Sequence, residues 1–211
     1  KTTSNYQQEF RNIGMRLGDR LDNDEWVDLY KDMVYWEMEL EKSGDDSMKE
    51  VFAMQKSEAN AQFSKHVEKN YVDWINDEEQ APLMSHRLLA ERVFPQIDAK
   101  DPVFLVVIDN LRYDHWKAIR PLMEQFYRID KEEAYYGILP TATQYARNAM
   151  FAGMMPSDIE RSYPKLWLNE NDEGGKNMHE KDFLEGNLKR EGKHVKFSYN
   201  KITNLAAGKK L

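Results

Sequence analysis

Two short stretches of the chain combine residue types that could do chemistry. In the first, six consecutive apolar residues at 103–108 lead directly to Asp109, with Arg112 and Asp114 close behind. An apolar, β-branched run of this length predicts a strand buried on both faces of a parallel sheet. Since open α/β sheets bind ligands beyond the carboxyl ends of their strands, we expect Asp109 to lie at a ligand-binding edge.

The second stretch, residues 139–148, predicts a strand that ends at Pro140, a turn, and a helix whose first residue or N-cap is Thr143. A hydroxyl there faces unpaired backbone N–H groups and the positive end of the helix, which favour an anion. If the two strands are neighbours, Asp109 and Thr143 suit metal-assisted phosphoryl transfer, because a carboxylate-bound cation lowers the pKa of the hydroxyl. Spacing alone equally allows Asp109 to be a turn residue and Thr143 only an N-cap.

The N-terminal part of the chain predicts the helices that precede these stretches. Apolar residues recur at spacings of three and four, which is typical of amphipathic helices, and short connections favour a three-helix bundle over 1–80. Capping boxes at Asp22–Glu25 and Ser47–Glu50 and a glycine at Gly44 mark its helix ends. The predicted core stripes are Tyr6, Phe10, Ile13, Leu17 and Leu21; Trp26, Leu29, Met33, Trp36 and Leu40; and Phe52, Ala59, Phe63, Val67, Tyr71 and Trp74.

From about residue 97 the pattern changes to alternating strands and helices, the sign of a βαβ sheet. A short helix at 84–94 precedes the change and stops at Pro95. The expected strands are 103–109, 134–139 and 194–199, and the expected helices are 116–127, 143–152, one capped by Ser157, and 177–190. We expect His66 and His86 to be structural, and His115, His179 and His194 to be surface or helix-end residues rather than metal ligands.

Composition narrows the possible functions. The net charge of −7 repels nucleic acid and anionic membranes, so a nucleic-acid substrate would need a local cationic site or a metal. Zero cysteines exclude disulfides and thiolate–zinc sites. The chain has neither a membrane-length apolar run nor a signal peptide, so we expect a cytoplasmic protein without membrane insertion. No Gly-x-Gly-x-x-Gly follows a strand, which weakens a dinucleotide-binding interpretation.

The residue types in the two stretches, and the order of the stretches along the chain, resemble those of a known family. Residues 107–114 and 140–148, followed by Gly153-Met-Met-Pro156, resemble the PglZ domain of the alkaline phosphatase superfamily. Essentially the whole chain is similar to PorX-type response regulators of type IX secretion, which place a receiver domain before a helical bundle and a PglZ effector. The resemblance implies an α/β fold: a bundle at 1–80, serving as linker or dimer region, and part of an alkaline-phosphatase-like parallel-sheet sandwich at 97–211.

The resemblance also implies an activity and its residues. It implies a zinc-dependent phosphodiesterase that cleaves cyclic and linear oligonucleotides at a site with two zinc ions. Asp109 would ligate zinc, and Thr143 would be the nucleophile and contact a metal, with Thr141 as the nearest rival nucleophile. Arg147 or Asn148 would bind the substrate phosphate. Arg112 and Asp114 are family-like, but they could equally pair with each other and brace the turn.

Features that the family pattern has and this chain lacks shape the remaining expectations. The other zinc ligands, Asp and His residues, are expected beyond Leu211, and the chain begins at Lys1 without an initiator Met, so we expect an internal piece of a longer protein. That piece alone should bind zinc poorly and be inactive. The expected partner is a cognate histidine kinase, through the absent receiver domain, and the resemblance also allows a homodimer. The alternative is a non-catalytic signalling module that relays phosphorylation to a partner protein.

Overall fold

The computed structural model describes residues 3–44, 46–97, 100–169 and 171–210. The chain divides into two compact units. Unit 1 comprises Lys1–Pro82 with Val106–Ala134, and unit 2 comprises Leu83–Leu105 with Tyr135–Leu211. The apolar run at 103–108 therefore crosses from one unit to the other.

The bundle in unit 1 forms as its apolar stripes predict. Its helices are α1 (Thr3–Gly18), α2 (Asn23–Ser43) and α3 (Asp46–Asn76). Both bonds of the first capping box are present, Glu25 N–H to Asp22 Oδ1 at 2.9 Å and Asp22 N–H to Glu25 Oε2 at 2.8 Å. α3 begins ahead of Ser47, which is therefore not its cap. The bundle core contains Tyr6, Phe10, Ile13, Leu17, Leu21, Trp26, Leu29, Met33, Leu40, Phe52 and Ala59.

The third stripe is buried only in part. Phe52, Ala59 and Trp74 are buried, whereas Val67 and Tyr71 are partly exposed and Phe63 is exposed. His66 packs beside the rings of Phe63, Trp26 and Trp74, with centroid distances of 5.6–6.3 Å, and its Nε2 lies 2.8 Å from Asn23 Oδ1. These contacts confirm the structural role predicted for His66.

The predicted parallel-sheet sandwich is not seen. Among the described residues, β pairing is limited to one isolated parallel bridge between Met84 and Tyr136. The strands predicted at 103–109 and 194–199 form no ladder, and every side chain from Val103 to Ile108 is exposed, Phe104 by 86%. The physical reason is that a strand needs a neighbour for its N–H and C=O groups, and an apolar run predicts burial without providing that neighbour.

The remaining helices follow their predictions more closely. α4 (Tyr113–Met123) begins earlier and ends earlier than expected, leaving Phe126 and Tyr127 exposed. The predicted helix at 84–94 is instead a series of 3₁₀ and π turns from Ser85 to Gln96. The other helices are α5 (Thr143–Ala152), α6 (Pro156–Ser162), α7 (Glu180–Arg190) and α8 (Leu205–Gly208). Pro156 opens α6, and Ser157 does not cap it.

α5 and α7 form the core of unit 2. Ala149, Phe151, Ala152, Phe183 and Leu188 are buried. Gly153 ends α5 with φ at 61°, and a Cβ there would lie 2.5 Å from Asn187 Oδ1, so this position favours glycine twice over. Asn187 Nδ2 donates to Phe151 O at 3.2 Å, and Arg190 donates to Ala152 O. Side chains of α7 thus donate hydrogen bonds to backbone carbonyls at the C-terminal end of α5.

Candidate active site

Thr143 is the first residue of α5, as the sequence allowed. The N-cap is Ala142, whose carbonyl accepts the N–H groups of Tyr145 and Ala146 at 2.9 Å, and no side chain caps this end. Thr143 is partly exposed and Thr141 is exposed. A hydroxyl therefore lies at an uncapped helix N-terminus, where backbone N–H groups and the helix dipole favour a negatively charged group.

The two residues after Thr143, Gln144 and Tyr145, connect the first turn of α5 to residues 167 and 168. Gln144 Nε2 donates to Leu168 O at 2.7 Å. The Tyr145 ring packs beside the ring of buried Trp167, with centroids 6.0 Å apart. Two contacts of different kinds, one polar and one aromatic, therefore hold the same turn that carries Thr143.

Arg147 is held by a buried carboxylate. Its Nε donates to Glu180 Oε1, and the two side chains are only 16% and 2% exposed. Tyr199 Oη donates to Glu180 Oε2, and Asn177 Nδ2 lies 3.4 Å from Oε1. Burial of Tyr199 and its hydrogen bond to Glu180 raise the pKa of that phenol to about 12. We call Glu180, Arg147, Tyr199 and Asn177 the Glu180 cluster.

Asn148 faces the same segment as Arg147. It is 1% exposed, and its Nδ2 donates to Lys176 O at 2.9 Å. Both residues predicted to bind a substrate phosphate thus contact the segment 176–180. Their role toward phosphate stays a prediction.

Asp109 lies in a turn rather than at the end of a paired strand. Its Oδ1 accepts the backbone N–H of Asn110 at 3.1 Å, and Asn110 has a left-handed backbone with φ at 59°. The Asp109 side chain is exposed. It lies in unit 1, whereas Thr143 lies in unit 2.

Arg112 and Asp114 pair with each other. The guanidinium donates twice, from Nε to Oδ1 at 3.0 Å and from Nη2 to Oδ2 at 2.5 Å. This bidentate pair lowers the pKa of Asp114 to about 2, with a smaller contribution from the backbone N–H of His115. Of the two roles open to these residues, the structure confirms mutual pairing.

A second carboxylate cluster, in unit 1, was not predicted from the sequence. Glu132 accepts from Tyr113 Oη at 2.7 Å, Trp116 Nε1 at 2.7 Å and Arg120 Nη1 at 3.0 Å, all on α4. Burial raises the pKa of Glu132, but hydrogen bonds from Trp116 and Tyr113 and the nearby cationic charges outweigh burial, so its pKa lies below the ordinary value. We call Glu132, Tyr113, Trp116 and Arg120 the Glu132 cluster.

The comparisons with known proteins identify two families along the chain. Residues 1–75 match the PorX response regulator linker domain. Residues 88–210, more than half of the chain, match the BREX system PglZ alkaline phosphatase-like domain. The chain belongs to the PglZ family. The resemblance drawn from the two motifs is confirmed, and a PorX-type linker before a PglZ domain fits the effector region of a response regulator.

No curated protein matches the chain. The PglZ match places the chain in an alkaline-phosphatase-like family. This supports its membership in a superfamily of phosphatases and other hydrolases. None of the helices in the described part of the chain is both long and apolar enough to span a bilayer.

A PglZ domain raises the question of a metal centre. No group of three or more His, Asp or Glu side chains that could hold a metal ion occurs among the described residues. Zinc is held by three or four protein ligands. His179 is the N-cap residue of α7 and lies 3.3 Å from Asp182, as expected of a helix-end histidine. The described residues by themselves do not fit a zinc centre.

Proposed function

We propose that the chain is the linker and effector region of a response regulator whose PglZ domain hydrolyses phosphodiesters with Thr143 as the nucleophile. One observation carries the proposal: Thr143 is a partly exposed hydroxyl at the uncapped N-terminus of α5. The match of residues 88–210 to an alkaline phosphatase-like domain supports it. An anionic phosphodiester is the kind of ligand that such a helix end favours.

The proposed reaction is a displacement at phosphorus. The Thr143 oxygen forms a bond to phosphorus while the bond from phosphorus to the leaving alcohol breaks, and the hydroxyl proton ends on that alcohol. Water then cleaves the phosphothreonine ester and restores the hydroxyl. The backbone N–H groups at the start of α5 stabilise charge on the phosphoryl oxygens through both steps.

Zinc, with two ions bound, is the cofactor of this proposal, and Asp109 and Thr143 are its proposed contacts. Because the described residues do not fit a zinc centre, the proposal needs further ligands. Bound zinc would supply Lewis-acid stabilisation of negative charge.

The proposal extends to substrate, partners and location. Cyclic and linear oligonucleotides are the proposed substrates, and since the net charge is −7, their binding has to depend on a local site rather than on bulk attraction. A cognate histidine kinase would act through a receiver domain in a cytoplasmic regulator of type IX secretion. A homodimer is part of the same proposal.

The test is T143A in the full-length protein, assayed with zinc and bis(p-nitrophenyl) phosphate. We expect kcat to fall by about 10⁴-fold or more, because no other group replaces the nucleophile. T141A is the matched control, two residues earlier and outside the helix. Undiminished activity in T143A, or the larger loss in T141A, would exclude Thr143 as the nucleophile.

A second candidate function, a non-catalytic signalling module, is favoured by a contact inside unit 1. Tyr30 on α2 packs beside Tyr113, the first residue of α4, with ring centroids 6.0 Å apart. A linker helix thus contacts the segment that follows Asp109. Zinc-loaded, full-length protein that hydrolyses no phosphoester, yet changes its partner binding on phosphorylation, would support this function over the first.

A further inference from the structure

We propose that Glu180 is a positioning residue for Thr143: by holding Arg147, it fixes the N-terminal turns of α5 in the orientation that presents the Thr143 hydroxyl. The inference rests on the proposed nucleophilic role of Thr143. Glu180 itself contacts no substrate in this proposal. It acts through Arg147 and the helix.

The position of Arg147 on α5 is the first support. Residues four apart lie on the same face of a helix, so Arg147 is one turn beyond Thr143 on the same side. Its Nε donates to a carboxylate whose side chain is 2% exposed. Because water cannot replace a hydrogen bond lost at a buried site, this pair strongly favours one orientation of the helix.

The environment of Glu180 is the second support. Tyr199 donates to one carboxylate oxygen, while Arg147 Nε and Asn177 lie at the other. Glu180 is also the first residue of α7, where a negative charge is favoured by the helix dipole. One buried carboxylate therefore connects α5, α7 and the segment that contains Tyr199.

The neighbours of Thr143 complete the arrangement. Gln144 and Tyr145 contact residues 167 and 168, whereas Arg147 and Asn148 contact the segment 176–180. The first two turns of α5 are thus attached to two different segments, and the Glu180 cluster is the buried charged attachment. Since an error of about 1 Å in the position of a reacting group costs about 100-fold in rate, loss of this attachment should appear in kcat.

The test is E180Q in the full-length protein, with E185Q as the matched control. Glu185 lies on the same helix and accepts from Lys189 at 2.7 Å, but its side chain is 46% exposed. Two quantities are measured: kcat and KM for bis(p-nitrophenyl) phosphate with zinc, and hydrogen exchange of the backbone amides of Ala146, Arg147 and Asn148. For E180Q we expect a fall in kcat of about 10–100-fold with KM unchanged within about threefold.

The same variant should show faster exchange of those three amides by about tenfold or more, while E185Q should match wild type in both measurements. A folded E180Q with wild-type kcat overturns the proposal, whatever its melting temperature. A raised KM with unchanged kcat also overturns it, because Arg147 would then bind substrate itself.

The two proposals fail in different ways. Wild-type protein without any phosphodiesterase activity would contradict the proposed function, and the exchange measurement would still decide whether Glu180 fixes α5. If E180Q does not fold, Y199F replaces it, since this change removes only the hydroxyl that donates to Glu180. We expect a fall in kcat of about 3–10-fold with the same exchange pattern for Y199F. Wild-type values in both measurements would overturn the proposal.

Discussion

The two carboxylate clusters use the same chemistry at different depths. Glu180 in unit 2 and Glu132 in unit 1 each accept from an arginine, a tyrosine and one further donor. The Glu180 side chain is 2% exposed, whereas that of Glu132 is 22% exposed. Each carboxylate attaches a neighbouring segment to a helix, α5 or α4.

The difference in burial decides what each cluster contributes. When a donor to Glu132 is removed, water can replace part of the lost hydrogen bonding. Water cannot reach Glu180 to the same extent. Removing one partner of a buried hydrogen-bonded ion pair leaves the other partner inside the protein as an uncompensated charge or an unsatisfied donor. We therefore expect the Glu180 cluster to be the more sensitive to substitution, although the hydrogen bonds are alike.

The largest expected effect is that of E180A. The change removes the buried carboxylate that accepts hydrogen bonds from Arg147 and Tyr199 in unit 2. We therefore expect the free energy of unfolding to fall by about 3–5 kcal/mol. Urea unfolding followed by circular dichroism measures the change. E185A, on the exposed face of the same helix, should stay within about 0.5 kcal/mol of wild type. A loss in E180A no larger than in E185A would contradict the role of burial.

A smaller effect is expected for E132A in unit 1. Its three donors are partly open to water after the change, so we expect a loss of about 1–2 kcal/mol in the free energy of unfolding. The control is D130N, which breaks only the exposed pair with Arg128. If E132A destabilised the protein more than E180A, burial would not be the deciding difference between the clusters.

The pH dependence of the Glu132 cluster sharpens the same comparison. The folded-state pKa of Glu132 lies below its ordinary value of 4.5. Its contribution to stability is therefore fully present above that ordinary value and is lost as the pH falls through the lowered folded-state pKa. The difference in urea midpoint between wild type and E132Q should be constant near neutral pH and shrink below about pH 4. A difference that grows on acidification would contradict this sign.

The smallest effect on stability is expected at the exposed pair of Arg112 and Asp114. R112Q should raise the pKa of Asp114 from about 2 toward its ordinary value of 3.8, because the bidentate hydrogen bonds are lost. Carbon-13 NMR of the carboxyl group measures this pKa. The melting temperature should not change, since exposed ion pairs contribute little. A pKa still near 2 in R112Q would show that another group lowers it.

Much of the helical part could be predicted from local pattern. The stripes beginning at Tyr6 and Trp26 predicted the first two bundle helices, and the helix predicted at 143–152 has the same bounds as α5. The pairing of Arg112 with Asp114 was one of two predicted roles, because two residues of separation bring such side chains together locally. An α-helix satisfies most of its backbone groups within one segment, so its pattern is informative on its own.

The clusters around Glu180 and Glu132 could not be predicted. Glu180 was visible only as a residue near the start of a helix, and its partners Arg147 and Tyr199 are 33 and 19 residues away. Glu132 lies in a predicted connection between a helix and a strand, where no sequence pattern distinguished it from other surface residues. Contacts between distant residues depend on how elements pack, and spacing along the chain does not report them.

The sequence by itself determined the bundle helices, α5 with Thr143 at its start, and the PglZ resemblance, since each depends on residues close together in the chain. Only the tertiary structure decided that residues 103–108 form no ladder among the described residues, because strand pairing depends on a partner segment. It also decided that Arg147 and Asn148, candidates for phosphate binding, contact the segment 176–180. The identity of a buried partner is a property of packing, and local sequence carries no record of it.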